Sequence, residues 1–91
     1  MDDESVHTWK VELLIGEREG HTHAEARLHT DDPTHLTGTG RARKRPSDND
    51  VPEIGAELAA SRALADLAHQ LLQAAADDIE GVTHETVSLK A

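Results

Sequence analysis

The chain has no cysteine, no phenylalanine and no tyrosine, and Trp9 is its single aromatic residue. Without cysteine there is no disulfide framework, no thiolate zinc site and no thiol nucleophile. Without large rings, the core has to come from Leu, Ile, Val and many Ala, and in 91 residues such a core is thin. Partner subunits often supply the burial that small cores lack. No apolar run approaches the roughly 18 residues that a membrane-spanning helix needs. Met1-Asp2-Asp3-Glu4 is acidic and has neither the basic nor the apolar part of a secretory leader, so the expected compartment is cytoplasmic.

Positive charge is also scarce. Nine Lys and Arg face eighteen Asp and Glu, a formal net charge of −9. Such a surface repels phosphate backbones in general, so an anionic partner has to be met by a local concentration of cations. Seven histidines would raise the charge to −9 + 7 = −2 if all were protonated, which makes it steeply pH-dependent below neutrality.

The residues that are present alternate. Trp9, Val11, Leu13 and Ile15 interleave with Thr8, Lys10, Glu12 and Leu14, the period of a half-buried strand, expected over about 7–16. After the polar turn Glu17-Arg18-Glu19-Gly20, Ala24, Ala26 and Leu28 repeat the pattern, and the short connection predicts an antiparallel hairpin. A third strand is expected over about 36–45, with Leu36, Gly38, Gly40 and Ala42 on its core face. Glycines weaken strands. On a core face they let another backbone approach, so an Ala-rich helix is expected to cross close over this strand. Asp50-Val51-Pro52-Glu53 then reads as a capped helix start, and the apolar stripe runs to about Glu80, with Gly81 as a C-terminal stop. The predicted fold is α+β: a three-stranded antiparallel sheet followed by one long C-terminal helix packed on one face, in the order β-β-β-α. Residues 1–5 read as a disordered tail, 6–83 as a single domain and 84–91 as a C-terminal tail with a weak strand pattern at Val87 and Leu89. The principal core is expected from Trp9, Val11, Leu13, Ala26, Leu28, Leu58, Leu67 and Leu71.

The densest chemical signal is Arg41-Ala42-Arg43-Lys44-Arg45, four of the nine basic residues in five positions. Period two places Arg41, Arg43 and Arg45 on the solvent face about 6.8 Å apart, close to the spacing of successive phosphates on a nucleic-acid strand. No aromatic side chain interleaves with them to stack a base. The alternative is a charged edge that deters aggregation and pairs with acids such as Glu12 and Glu25. His21 and His23 share one strand face and, with Glu25, form a weak candidate for a partial metal site. Ser5, Ser47, Ser61 and Ser88 lie in no nucleophile-elbow context, the glycines at 38 and 40 are not a phosphate loop, and no cofactor motif is present. The chain is therefore not expected to be an enzyme.

The segments Trp9-Lys10-Val11, Ala24-Glu25-Ala26-Arg27-Leu28, Leu36-Thr37-Gly38-Thr39-Gly40-Arg41-Ala42 and Asp50-Val51-Pro52-Glu53-Ile54-Gly55, followed by Glu57-Leu58-Ala59, Arg62-Ala63-Leu64 and Asp66-Leu67-Ala68, resemble a small actinobacterial family of unknown function. The resemblance covers roughly residues 7–85. It implies a double-stranded-RNA-binding-domain-like (dsRBD-like) fold, a link to dormancy in mycobacteria, and a likeness to ribosome hibernation-promoting factors. The chain departs from true RNA-binding domains, which begin the helix after the third strand with lysines. Here that position reads Pro52-Glu53-Ile54-Gly55-Ala56-Glu57, which repels phosphate.

Two functions remain open: a stress or dormancy-associated factor engaging the ribosome, RNA or another anionic partner through Arg41, Arg43, Lys44 and Arg45, or a protein-interaction or structural module. A homodimer is expected in either case. A helix over 51–80 is about 45 Å long and strands of nine or ten residues span about 30–33 Å. Leu71, Leu72, Ala75 and Ile79 on the overhang are apolar and become the candidate interface, the alternative being that the tail with Val87 and Leu89 folds back over them within one chain.

Overall fold

A computed structural model describes residues 5–31, 35–43, 52–84 and 86–89. Strands β1 (Lys10–Arg18), β2 (His21–His29) and β3 (Thr37–Arg43) form an antiparallel sheet in the order β1-β2-β3, followed by helix α1 (Pro52–Thr83). The expected β-β-β-α fold is the one observed. A two-residue turn joins β1 to β2, with Glu19 at φ 52° and Gly20 at φ 77°. Two successive left-handed residues give the turn whose twist matches that of the flanking strands. It is tighter than the four-residue turn expected, so β1 continues through Glu17 and Arg18.

The alternation in β2 and β3 puts Ala24, Ala26, Leu28, Gly38, Gly40 and Ala42 on the face that α1 covers, all of them buried. The helix comes closer than side chains normally permit. A β-carbon added to Gly40 would overlap the Ala59 carbonyl oxygen and the Ala63 nitrogen, and one added to Gly38 would overlap the corresponding atoms of Ala63 and Leu67. Gly55 makes the same concession at the start of the helix, where a β-carbon would lie 2.7 Å from Thr22 Oγ1. The expected close crossing over the third strand is present.

The low seating of α1 also protects the free edge of β3. Three polar side chains at four-residue intervals, Arg62, Asp66 and Gln70, descend on one flank of the helix. The Arg62 guanidinium donates to the Arg41 carbonyl at 2.6 Å, the Thr39 N–H donates to the Asp66 carboxylate at 2.8 Å, and the Gln70 amide donates to the Thr37 carbonyl at 2.8 Å. The Gln70 amide also donates to Asp66 at 3.2 Å. These contacts satisfy backbone groups that an edge strand otherwise leaves open.

The core differs from the one expected. It is built from Ala24, Ala26, Leu28, Ala42, Ala59, Ala63 and Leu67, with Leu36 and Leu71 packed against it. Trp9, Val11, Leu13 and Leu58 are instead exposed, at 53%, 45%, 41% and 45%. A helix is roughly 10 Å across and strands lie about 4.8 Å apart, so one helix covers two strands. Seated over β2 and β3, α1 leaves the apolar face of β1 uncovered.

The helix also ends later than expected. Gly81 lies inside it, and the stop falls at His84, which takes the left-handed conformation (φ 61°) while its N–H donates to the Glu80 carbonyl at 2.7 Å. Beyond it, residues 86–89 form no strand, and the Val87 N–H donates to the Glu80 carboxylate at 3.3 Å. Leu71 and Leu72 are half-buried, while Ala75 and Ile79 remain exposed on the overhang. Residues 1–4 of the tail expected over 1–5, together with Lys44, Arg45 and the Asp50 cap, lie outside the described residues.

Two substitutions test the seam by opposite signs. Gly40→Ala places a methyl on backbone atoms that have no rotamer to yield, so it should destabilise by about 2–3 kcal/mol or prevent folding. Gly81→Ala meets nothing within 4 Å and removes a helix-interior glycine, so it should stabilise by about 0.5–1 kcal/mol. Urea denaturation of both variants checks the pair. Leu67, 3% exposed, is the largest apolar residue of the seam, and Leu67→Ala should cost about 2–5 kcal/mol in the same assay.

Candidate anion-binding site

The sheet face turned away from the helix carries the polar residues, and the strand register sorts them by charge. From the hairpin end the cross-strand rows read Arg18–His21–Arg43, then Gly16–His23–Arg41, then Leu14–Glu25–Thr39, then Glu12–Arg27–Thr37. The first two rows bring three arginines and two histidines together, all exposed. Steps within a strand are about 6.8 Å and steps between strands about 4.8 Å. Residues far apart in sequence thus form one cationic patch on a chain of net charge −9.

Gly16 shapes the patch. A β-carbon there would lie 2.6 Å from His23 Cε1, so the missing side chain gives the imidazole room to lie across β1. On the β3 side, His21, Thr22, His23, Arg41, Ala42, Arg43 and Arg62 line an open depression of about 500 Å³. Arg62 is held there by its bond to the Arg41 carbonyl. A fourth guanidinium therefore stands at the rim.

The acids expected to neutralise strand three are engaged elsewhere. Glu25 pairs with Arg27 at 2.9 Å and Glu12 with His29 at 3.4 Å. Among the described residues, neither Arg18, Arg41 nor Arg43 has a carboxylate within ion-pair distance. The register explains the difference, because Glu25 stands opposite Leu14 and Thr39, and Glu12 stands opposite Arg27.

The weak metal candidate fares differently. His21 and His23 do share a face, but they stand between Arg18, Arg43 and Arg41, and Glu25 is bound to Arg27. No group of three or more metal-ligating side chains occurs among the described residues. Guanidinium neighbours disfavour a divalent cation and favour an anion. The imidazoles belong to the cationic patch.

The run at 41–45 read by itself does not point to Arg18 or Arg62, and it leaves His21 and His23 as a metal candidate rather than neighbours of the arginines. Their signal is the hairpin: a turn at Glu19-Gly20 sets Arg18 beside His21, and the following antiparallel strand brings Arg43 to the same row.

Residues 7–88 match the Rv2632c-like family. The chain belongs to that family. Two mycobacterial members show how far the similarity reaches. The "uncharacterized protein Mb1767" of Mycobacterium bovis is 46% identical over 90 residues, 96% of this chain and 95% of that one. The "uncharacterized protein Rv2632c" of Mycobacterium tuberculosis is 43% identical over 81 residues, 89% of this chain and 86% of that one. The crystal structure of Rv2632c superposes with a TM-score of 0.83 at 40% identity, covering 92% of this chain and 99% of the other. The Rv2632c-like family thus matches the expected small actinobacterial group of unknown function, and the helix-on-sheet arrangement is shared within it.

Proposed function

We propose that this Rv2632c-like chain is a non-catalytic binding factor that holds a phosphate-bearing polymer, RNA or the RNA surface of a ribosome, on the basic end of its open sheet face. The observation that supports this reading is the gathering of Arg18, His21, His23, Arg41 and Arg43 in two adjacent rows, with the three arginines left without carboxylate partners among the described residues. Two neighbouring phosphates fit the 6.8 Å step from Arg41 to Arg43. Lys44 and Arg45 follow in sequence and extend the charge.

The mode differs from that of helix-led duplex binders. The helix starts with Glu53 and Glu57, both exposed, so its positive dipole end is screened by acids and offers phosphate little. Contact through exposed strands without aromatic stacking suits backbone recognition that reads shape and charge rather than sequence. A ribosome-associated role in stress or dormancy is the setting that accords with this chemistry and with the dsRBD-like resemblance.

A second reading is a protein-interaction module with no nucleic-acid role. The uncovered apolar face of β1 favours it, since solvated side chains there need not be Trp9, Val11, Leu13 and Ile15.

The test is binding of purified ribosomes and of single- and double-stranded RNA at low ionic strength, by wild type and by an Arg41→Glu/Arg43→Glu variant. Both side chains are exposed, so the variant should keep the wild-type circular dichroism. Wild-type affinity should fall with salt by about 0.7–0.9 logarithmic units per tenfold increase for each phosphate contacted. The variant should bind at least tenfold more weakly and with a shallower salt slope. Equal binding by the two proteins, or none by wild type at low salt, would remove this function and leave the second reading.

A further inference from the structure

The basic end of the open sheet face holds two kinds of cationic group, and they are interleaved. His21 stands between Arg18 and Arg43, and His23 stands between Gly16 and Arg41. Because β2 is the middle strand, the imidazoles form the central column of the patch and the arginines flank it. The two arginines of the first row are two strand spacings apart, about 9.6 Å. A phosphate strand that touches both of them therefore passes over His21. One that follows Arg41 and Arg43 along β3 lies a single strand spacing, about 4.8 Å, from both imidazoles.

The charged groups around the two rings are mostly positive. Across the strands they are Arg18 on β1 and Arg41 and Arg43 on β3, and Arg62 comes in from α1 at the rim of the same depression. The acids nearest in the chain are Glu19 in the turn and Glu25 two residues beyond His23, and Glu25 is held by Arg27 at 2.9 Å. Glu17 stands opposite Thr22, on the helix-covered face. Among the described residues, neither ring has a carboxylate within ion-pair distance. The two rows thus lack the anion that a protonated imidazole would pair with, and a bound phosphate supplies it. The other histidines are placed differently. His29 pairs with Glu12 at the far end of the sheet, His7 and His35 precede β1 and β3, and His69 and His84 lie on α1 and at its end.

Resting on the anion-binding reading given above, we propose that His21 and His23 make that site proton-linked. Both imidazoles take up protons when a phosphate-bearing strand binds, so the grip tightens as pH falls below neutrality. A neutral imidazole offers phosphate one N–H, whereas an imidazolium offers two together with a full charge. An anion that binds the protonated ring more tightly favours protonation of that ring by the same factor. Imidazoles change charge between about pH 5 and 8, which is where the effect falls. The arginines stay charged throughout. The site therefore keeps the affinity that its guanidinium groups supply at higher pH and gains two further cations at lower pH.

The experiment is titration with oligouridylate, whose bases do not change charge in this range, at about pH 8 and about pH 6. Both lie above the isoelectric point of about 5.0. Wild-type affinity should rise about tenfold at the lower pH, the worth of about one pKa unit of coupling. Its salt slope should steepen there by about 1.4 logarithmic units per tenfold change in salt, as two added contacts to a single strand require. His21→Gln/His23→Gln puts neutral amides in place of both rings and should bind with nearly the same affinity at the two pH values. His69→Gln/His84→Gln should keep the gain, which separates a local effect from the change in net charge. In NMR titrations of wild type, the His21 and His23 ring signals should move to a higher midpoint pH when oligouridylate is bound, a readout that needs no variant to fold. Unmoved midpoints, equal wild-type affinity at the two pH values, or a gain that survives His21→Gln/His23→Gln would overturn the proton link and leave the anion site standing. No wild-type binding at either pH would remove the site and the link together.

Discussion

The structure depends on one close approach: the backbone of α1 resting on the backbone of β3 at Gly38 and Gly40, with Ala59 and Ala63 as the matching surface. Removing side chains from both sides of a contact lets main chains meet, at the expense of the area that large apolar groups would bury. The core consequently consists almost entirely of alanine, with Leu28 and Leu67 as its large buried members. The low helix also lets Arg62, Asp66 and Gln70 reach past the sheet plane to the β3 edge. A helix standing at the usual height over larger residues would hold those side chains farther from the strand.

That constraint separates what the sequence made legible from what it did not. Period two in each strand identified the correct faces, and the glycines at 38 and 40 identified the strand beneath the helix. Alternation says which side of a strand is apolar; it does not say whether the layer above is wide enough to cover it. Trp9, Val11 and Leu13 are expected in the core on that basis, and they point to the correct side of the sheet but stay 53%, 45% and 41% exposed. The limit is one of width, since a single helix spans two strands and the sheet has three.

The candidate site was legible only in part for a related reason. The run Arg41-Ala42-Arg43 is local and could be read along the chain. The rows that join it to His23 and to Arg18 and His21 require the register across three strands. That register follows from a two-residue turn with both residues left-handed, and Glu19 is an uncommon choice for such a position, so its composition did not announce it. Likewise Arg62, Asp66 and Gln70 had the spacing of a solvated helix face. Their role at the β3 edge follows from the height of the helix, which is a tertiary property.

Blocking the edge of β3, while no described side chain reaches the backbone of β1, has a consequence best put in the language of polymer chemistry. A sheet with two open edges is a bifunctional monomer, and strand addition on it can propagate into a fibre. Here the helix side chains act as a protecting group on β3, so the chain is monofunctional. Strand addition to this sheet would therefore have β1 as its one open end, and growth through β3 is stopped. The three residues that complete the fold on one side thereby also set the largest size that this mode of assembly can reach.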